Sequence, residues 1–178
     1  QLPSGAGAQW DLVIIGDSSM WELGDAFAAQ IEKDTGVKVV VHDYANNAAS
    51  AGEVLEVLQT GESLNARTAG LLDSIKTAEV VVMNLNLEDS YDPKNPVDLY
   101  GCFLMTRPGN CSPASFEKYT EDLKAIWAEI LALRQGQPTI LRATDLYSPL
   151  VSPWKEHGVF EACTECWENL SQAARLAA

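Results

Sequence analysis

Ser18 is the residue of this sequence whose position is best suited to chemistry. The turn Gly16-Asp17-Ser18 follows a short apolar run at residues 12–15, which predicts a buried strand. Apolar residues at helical spacing come next: Met20, Leu23, Phe27 and Ile31. A serine there lies at the carboxyl end of a strand and beside a helix N-terminus, where α/β sheets bind ligands and free N–H groups stabilise negative charge. A nucleophilic serine and a simple helix cap are both consistent with this position.

Two further polar segments follow predicted strands. Residues 43–48 come after a strand at residues 37–41, and Asn84-Leu85-Asn86 closes a strand at residues 79–85. Because the carboxyl ends of parallel strands meet at one edge of a sheet, these segments and the Ser18 turn are predicted to converge on one cleft. That convergence favours a nucleophilic Ser18 over a simple cap.

Predicted strands and helices alternate along the chain. A fourth strand is predicted at residues 138–143. Amphipathic helices are predicted at residues 20–35, 50–60, 63–77, 116–134 and 160–178. Gly36 is predicted to end the first of these helices, and Ser50 to cap the start of the second. Strands alternating with helices indicate right-handed crossovers and a parallel sheet, so the predicted fold is a three-layer α/β/α sandwich. The long segment at residues 86–113 is a predicted loop, and loops of that length are usually functional or cross-linked.

Composition limits the classes of partner. At 178 residues with 47% apolar residues, the chain is expected to form one domain at residues 10–178, preceded by a flexible stub at residues 1–9. The formal net charge of −13 disfavours nucleic acids and anionic membrane surfaces as partners. No apolar run approaches the roughly 20 residues needed for a transmembrane helix.

The cysteines form two close pairs in the sequence, Cys102 with Cys111 and Cys163 with Cys166. A structural zinc site could use four thiolates, but the wide first pair does not have the usual ligand spacing. We therefore expect two local disulfides, one within each pair. Disulfides indicate an oxidising compartment, so the protein is expected to be secreted or extracytoplasmic.

Other polar and aromatic features carry less information. The acidic residues of the long loop match no calcium-loop spacing and are expected to form a solvated surface: Glu88, Asp89, Asp92 and Asp98. No metal site is predicted. Trp154 and Trp167 are consistent either with packing or with the lining of an acyl or sugar pocket.

The chain resembles the SGNH (GDSL) hydrolase family. Gly16-Asp17-Ser18 matches the first family block, and Asn86 matches the asparagine of the third block. The resemblance implies a flavodoxin-like SGNH hydrolase fold and ester hydrolysis through an acyl-enzyme on Ser18, with no cofactor or metal. It also implies that Asn86, the Ser18 N–H and an N–H near Ala48 hold the oxyanion.

Some positions depart from the family pattern. Ala48 stands where the second block has glycine, and Gly52 offers a shifted alternative; a backbone N–H survives either way. The third block reads Asn84-Leu85-Asn86-Leu87 instead of Gly-x-Asn-Asp. Asp17, Asn47 and Asn84 are predicted to contact substrate, with Asp17 shaping the turn.

The general base is the largest departure. The family's final Asp-x-x-His block occurs nowhere in the chain, which contains two histidines, His42 and His157. His42 is predicted to end the second strand, and His157 to lie in a loop after the fourth. A surface or supporting role is the simpler interpretation of each, with His157 as the catalytic candidate. The functional protein is therefore expected to continue beyond Ala178.

Two functions remain open at this stage. The first is a secreted, monomeric serine esterase or lipase-like hydrolase acting on a small-molecule ester, a lipid or an acylated carbohydrate. The second is a non-catalytic ligand- or carbohydrate-binding domain that keeps the cleft without a working base. A flavodoxin-like nucleotide binder is disfavoured because the first turn lacks a glycine-rich phosphate loop.

Overall fold

The sheet of this protein has four parallel strands. The computed structural model describes residues 2–3, 7–45, 49–64, 66, 68–87, 90–144, 148 and 150–177. The strands are β1 (Gln9–Gly16), β2 (Lys38–Ala45), β3 (Val80–Asn84) and β4 (Ile140–Ala143), in the order β2-β1-β3-β4. β1 and β3 are thus the central strands, which explains their continuous apolar runs.

Helices cover both faces of the sheet. Their bounds are α1 (Leu23–Thr35), α2 (Ala51–Thr60), α3 (Leu71–Thr77), α4 (Tyr100–Phe103), α5 (Glu117–Arg134), α6 (Val151–Glu156) and α7 (Phe160–Ala177). α1 packs on one face, and α2, α3, α5 and α7 pack on the other. The predicted three-layer α/β/α sandwich with a parallel sheet is confirmed.

β1 shows how one strand serves both cores. Val13 and Ile15 face the helices α2, α3, α5 and α7, whereas Leu12 and Ile14 face α1. Successive side chains of a strand point to opposite faces, so a central strand needs apolar residues at every position. The strand ends at Gly16, and the 3-10 turn that contains Ser18 begins two residues later.

Two helix boundaries bear on the sequence predictions. α2 begins after the predicted cap Ser50, whose hydroxyl accepts the N–H of Glu53 at 3.2 Å within a complete capping box. The predicted helix at residues 63–77 is too long, because α3 begins only at Leu71. Gly70, at φ +83°, adopts a left-handed conformation that a continuing α-helix does not contain.

Two short helices were not predicted from the sequence. α4 lies within the long loop at residues 86–113, and α6 lies within the Pro-rich segment after β4. Pro153 is in the first turn of α6, where the missing N–H of proline costs no helical hydrogen bond. Both helices are shorter than two full turns, so they show no clear apolar periodicity in the sequence.

The disulfide pairing differs from the prediction. Two disulfides are present, but they join Cys102 to Cys163 and Cys111 to Cys166, with Cα–Cα distances of 5.6 and 5.1 Å. Cys163 and Cys166 lie near each other on one side of α7, and the long loop crosses that side and contributes the other two cysteines. The bonds therefore fasten the loop to α7. Disulfides persist in oxidising compartments, so they are consistent with an extracytoplasmic protein.

Within the described residues, no helix is both long and apolar enough to cross a bilayer.

The Ser50 cap gives a first testable prediction. Ser50→Ala removes an acceptor that satisfies the Glu53 N–H, so the free energy of unfolding should fall by about 1 kcal/mol in urea denaturation. Ser152→Ala, at an exposed position of α6, is the matched control and should change it by less than about 0.5 kcal/mol. Equal losses in the two variants would contradict a capping role.

Candidate active site

A short 3-10 turn, Ser18–Met20, begins just beyond the end of β1. Asp17 caps this turn, since its Oδ1 accepts the N–H of Ser19 at 2.8 Å. The Asp17 N–H donates to the carbonyl of Asn84 at 3.1 Å, which ties the turn to the end of β3. Gly16 is required by this close approach, because a Cβ there would lie 2.8 Å from the Asn84 carbonyl oxygen. The turn is therefore held firmly at the sheet edge.

Ser18 is exposed at the start of the turn. The turn's other early N–H groups are occupied: Ser19 donates to Asp17 Oδ1, and Met20 donates to the Asp17 carbonyl at 3.1 Å. Among the described residues, neither the N–H nor the hydroxyl of Ser18 has a hydrogen-bond partner. Within that part of the chain, the hydroxyl and the N–H of Ser18 are thus both unpaired, just beyond the carboxyl end of a central strand.

Asn84 contacts the turn through its side chain as well. Its Nδ2 donates to the Oγ of Ser19 at 3.2 Å. Ser19 was not among the residues predicted for the site, although the pair Ser18-Ser19 in the sequence places two hydroxyls in this turn. Asn84 is half-buried, and the contact places its amide beside the Ser18 turn, as the predicted convergence requires.

Asn86 has a tightly defined backbone. Its N–H donates to the carbonyl of Ala49 at 3.1 Å, and its own carbonyl accepts the N–H of Ala51 at 3.0 Å. These bonds form an isolated parallel bridge with Ser50, the cap of α2. The segment after β3 and the start of α2 are therefore joined directly, with the half-buried Asn86 at the junction.

Part of the segment after β2, residues 46–48, lies outside the described residues. Asn47 and Ala48 belong to that undescribed part, so their predicted roles are untested. The alternative residue, Gly52, lies in the first turn of α2. That turn follows the Ser50–Asn86 bridge, which places the helix N-terminus next to Asn86.

The position of His42 corrects a prediction. β2 continues to Ala45, so His42 does not end the strand. Its Nε2 lies 3.2 Å from Oδ1 of Asp11, which is near the beginning of β1. At about 3.3 Å per strand residue, Asp11 is roughly 16 Å from Gly16. His42 pairs with a carboxylate well below the Ser18 edge of the sheet.

His157 caps the C-terminus of α6 and is exposed. It lies in the turn that joins α6 to α7, in agreement with the predicted loop after the fourth strand. α6 belongs to the segment that follows β4, whose carboxyl end lies at the same edge of the sheet as the Ser18 turn.

The tryptophan side chains differ in their exposure. Trp154 is 1% exposed, and its Nε1–H donates to the Cys102 carbonyl at 2.9 Å, so it packs rather than lining an open pocket. Trp167 contacts Trp154, with ring centroids 5.9 Å apart. Trp21, which directly follows the Ser18–Met20 turn, is 53% exposed. Its indole is an exposed apolar surface three residues after Ser18, and it was not among the residues predicted for the site.

A buried tyrosine lies behind the site. Tyr119 of α5 is 2% exposed, and its hydroxyl donates to the carbonyl of Leu85 at 2.6 Å. Burial and the nearby negative charge of Asp17 raise the pKa of Tyr119 above its usual range. The phenol therefore stays protonated and remains a hydrogen-bond donor at ordinary pH.

Among the described residues, no three His, Cys, Asp or Glu side chains cluster in a way that could hold a metal ion. Two carboxylates of the long loop instead accept backbone N–H groups: Asp92 from Lys94 at 2.9 Å and Asp98 from Tyr100 at 3.1 Å. Glu88 and Asp89 lie outside the described residues.

Comparison with known proteins supports the fold. The lipase Lip_vut3 from a goat rumen metagenome superposes with a TM-score of 0.65 at 13% identity, over 93% of this chain and 74% of that one. TesA is also similar, with a TM-score of 0.47 at 14% identity, over 93% of this chain and 74% of that one. No protein-family model and no curated protein matches the sequence. The chain thus has an α/β fold of the kind found in a lipase.

Proposed function

We propose that this protein is a secreted carboxylic ester hydrolase of the SGNH type, with Ser18 as its nucleophile. The observation that carries the proposal is the exposed Ser18, which has no partner for its hydroxyl or its N–H among the described residues. It lies just beyond the end of the central strand β1, in a turn that Asn84, the last residue of β3, contacts through Ser19. The lipase-like fold and the two disulfides support the reaction class and the extracytoplasmic location.

The reaction would proceed by acyl transfer. The Oγ of Ser18 attacks the ester carbonyl carbon while a general base takes the hydroxyl proton. The carbonyl oxygen becomes an oxyanion, held by the Ser18 N–H and the Asn86 side-chain amide. Collapse of this intermediate expels the alcohol, which receives the proton, and leaves an acyl-Ser18. Water, deprotonated by the same base, then releases the acid and restores the serine.

Asn86 is the side-chain donor in this scheme, and its removal gives a direct test. Asn86→Ala should lower kcat about 10²- to 10³-fold on p-nitrophenyl butyrate, because one oxyanion donor is lost. Asn86→Asp keeps the shape but replaces the donor with an acceptor, so it should lose at least as much. Circular dichroism of both variants provides the folding control. Wild-type kcat in both folded variants would remove Asn86 from the mechanism.

His157 is the proposed base of this chain, because α6 follows the Ser18 edge of the sheet. His157→Ala should lower kcat by about 10²-fold or more, since general-base catalysis contributes on that scale. His42→Ala is the matched control and should keep kcat, because His42 pairs with Asp11 away from this edge. Full activity in His157→Ala would exclude His157 as the base and assign proton transfer to another group.

A substrate with an apolar group next to the ester fits this site best. The exposed indole of Trp21 follows the Ser18 turn and could cover an acyl chain or a sugar ring. Small esters, lipids and acylated carbohydrates share this chemistry. The net charge of −13 favours neutral forms of each over anionic ones.

A second candidate is a non-catalytic ligand-binding domain. The observation that favours it is the position of His42, which pairs with Asp11 instead of approaching Ser18. Such a domain would bind an ester or carbohydrate without turnover. Hydrolysis of p-nitrophenyl butyrate that disappears in Ser18→Ala supports the enzyme; saturable binding of the ester without turnover supports the binding domain.

A further inference from the structure

Tyr119 makes a hydrogen bond to the residue that precedes the proposed oxyanion donor. It lies on α5, is almost fully buried, and donates its hydroxyl to the carbonyl of Leu85 at 2.6 Å. Leu85 directly precedes Asn86, the proposed oxyanion donor. A buried tyrosine needs a partner for its hydroxyl, but that need alone does not require this particular carbonyl.

The peptide between Leu85 and Asn86 is held from two directions. The Leu85 carbonyl accepts from Tyr119, and the Asn86 N–H donates to the Ala49 carbonyl at 3.1 Å. The next carbonyl, that of Asn86, accepts the Ala51 N–H at 3.0 Å. The last two bonds come from the segment entering α2, whereas the first comes from α5. Without Tyr119, the Leu85–Asn86 peptide would lose one of the two hydrogen bonds described for it and would keep the bond from its N–H to the Ala49 carbonyl.

We propose that Tyr119 is a positioning residue for the oxyanion hole. Its hydroxyl fixes the orientation of the Leu85–Asn86 peptide, and through it the direction in which the Asn86 amide points. The inference rests on the proposed function of Ser18 and Asn86. An oxyanion donor must be aimed at the place where charge develops, and a shift of about 1 Å in a reacting group can cost 10²-fold in rate.

Tyr119 also interacts electrostatically with Asp17, the cap of the Ser18 turn. The charge of Asp17, the cap of that turn, is close enough to contribute to the raised pKa of the Tyr119 phenol. The same phenol thus interacts with the cap of the Ser18 turn and donates a hydrogen bond to the residue before Asn86. Because it stays protonated, its effect on catalysis should be constant between about pH 6 and pH 9.

The test compares two deletions of a side-chain hydroxyl on α5. Tyr119→Phe should lower kcat on p-nitrophenyl butyrate about 10-fold, at every pH in that range, while KM stays within 2-fold. It should weaken binding of phenylboronic acid, which forms an anionic adduct on serine, by a similar factor. Thr120→Val, which removes a hydroxyl that donates to the Ala173 carbonyl at 3.3 Å, is the control for lost stability and should leave kcat unchanged. A merely structural role of Tyr119 predicts a lower Tm with wild-type kcat in both variants.

A double-mutant cycle separates action through Asn86 from other effects. Tyr119→Phe should have no further effect on kcat in an Asn86→Ala background, because the group that it positions is gone. Additive losses, or wild-type kcat in Tyr119→Phe alone, would overturn the inference. Labelling of the wild-type Ser18 by a fluorophosphonate is measured first: no labelling refutes the proposed function and this inference with it, whereas labelling with unchanged Tyr119→Phe kinetics refutes the inference alone.

Discussion

Replacing Ser18 with alanine is expected to lower kcat/KM for p-nitrophenyl butyrate by about 10³-fold or more. The variant keeps the oxyanion donors but has no oxygen that can form the acyl-enzyme. Any remaining rate must come from direct attack by water, which is the residual activity typical of serine hydrolases without their nucleophile. Because Ser18 is exposed and its hydroxyl has no partner among the described residues, the substitution should not change the free energy of unfolding measurably.

The adjacent Ser19 is the matched control for this experiment. It is also exposed, and it accepts a hydrogen bond from Asn84 Nδ2 at 3.2 Å. Ser19→Ala should lower kcat/KM only about 2- to 5-fold, through loss of one solvent-exposed hydrogen bond. If Ser19→Ala abolished turnover and Ser18→Ala did not, the nucleophile would be Ser19 instead of Ser18.

Loss of the disulfides should have the largest effect on stability. The bonds Cys102–Cys163 and Cys111–Cys166 close loops with sequence separations of 61 and 55 residues. In the chain-entropy description, each cross-link of this length stabilises the folded state by about 4 kcal/mol. The double variant Cys102→Ser/Cys163→Ser should lose roughly that amount in urea denaturation, and the Cys111→Ser/Cys166→Ser variant should lose a similar amount.

The same bonds can be identified chemically. Non-reducing peptide mapping should recover the peptide with Cys102 linked to the peptide with Cys163. Peptides joining Cys102 to Cys111 would contradict the pairing and restore the local pairing expected from the sequence. A loss below about 1 kcal/mol in either double variant would show that the long loop contributes little to the folded state.

Much of the fold could be predicted from the sequence because its signals are local. The apolar runs of β1 and β3 predicted two strands, and both strands are interior in the sheet. Ser50 and Gly36 marked helix ends, and they cap α2 and α1. Each signal depends on a short stretch of chain, where propensity and hydrogen bonding decide the structure.

Features that depend on distant contacts could not be predicted. The disulfide pairing depends on how the long loop crosses α7, and spacing alone does not fix connectivity. The start of α3 depends on the left-handed Gly70, which an apolar pattern does not reveal. The pairing of His42 with Asp11 depends on strand register, which also lies outside the local pattern.

The candidate site shows the same division. The turn containing Ser18 and the strand end containing Asn84 were predicted to converge, and hydrogen bonds join them. Tyr119 was visible only as an apolar position of an amphipathic helix, because the carbonyl that it contacts is separated from it by 34 residues. Its hydroxyl could be given a role only after the packing of α5 against the sheet was known.

Labelling by a fluorophosphonate shows whether Ser18 is a nucleophile, because only an activated serine reacts rapidly with such a probe. Intact-mass spectrometry of the native protein should show one adduct, and peptide mapping should place it on Ser18. Neither Ser18→Ala nor the urea-unfolded protein should carry the adduct. An adduct on another residue, or no adduct on the native protein, would contradict the assignment of Ser18 as the nucleophile.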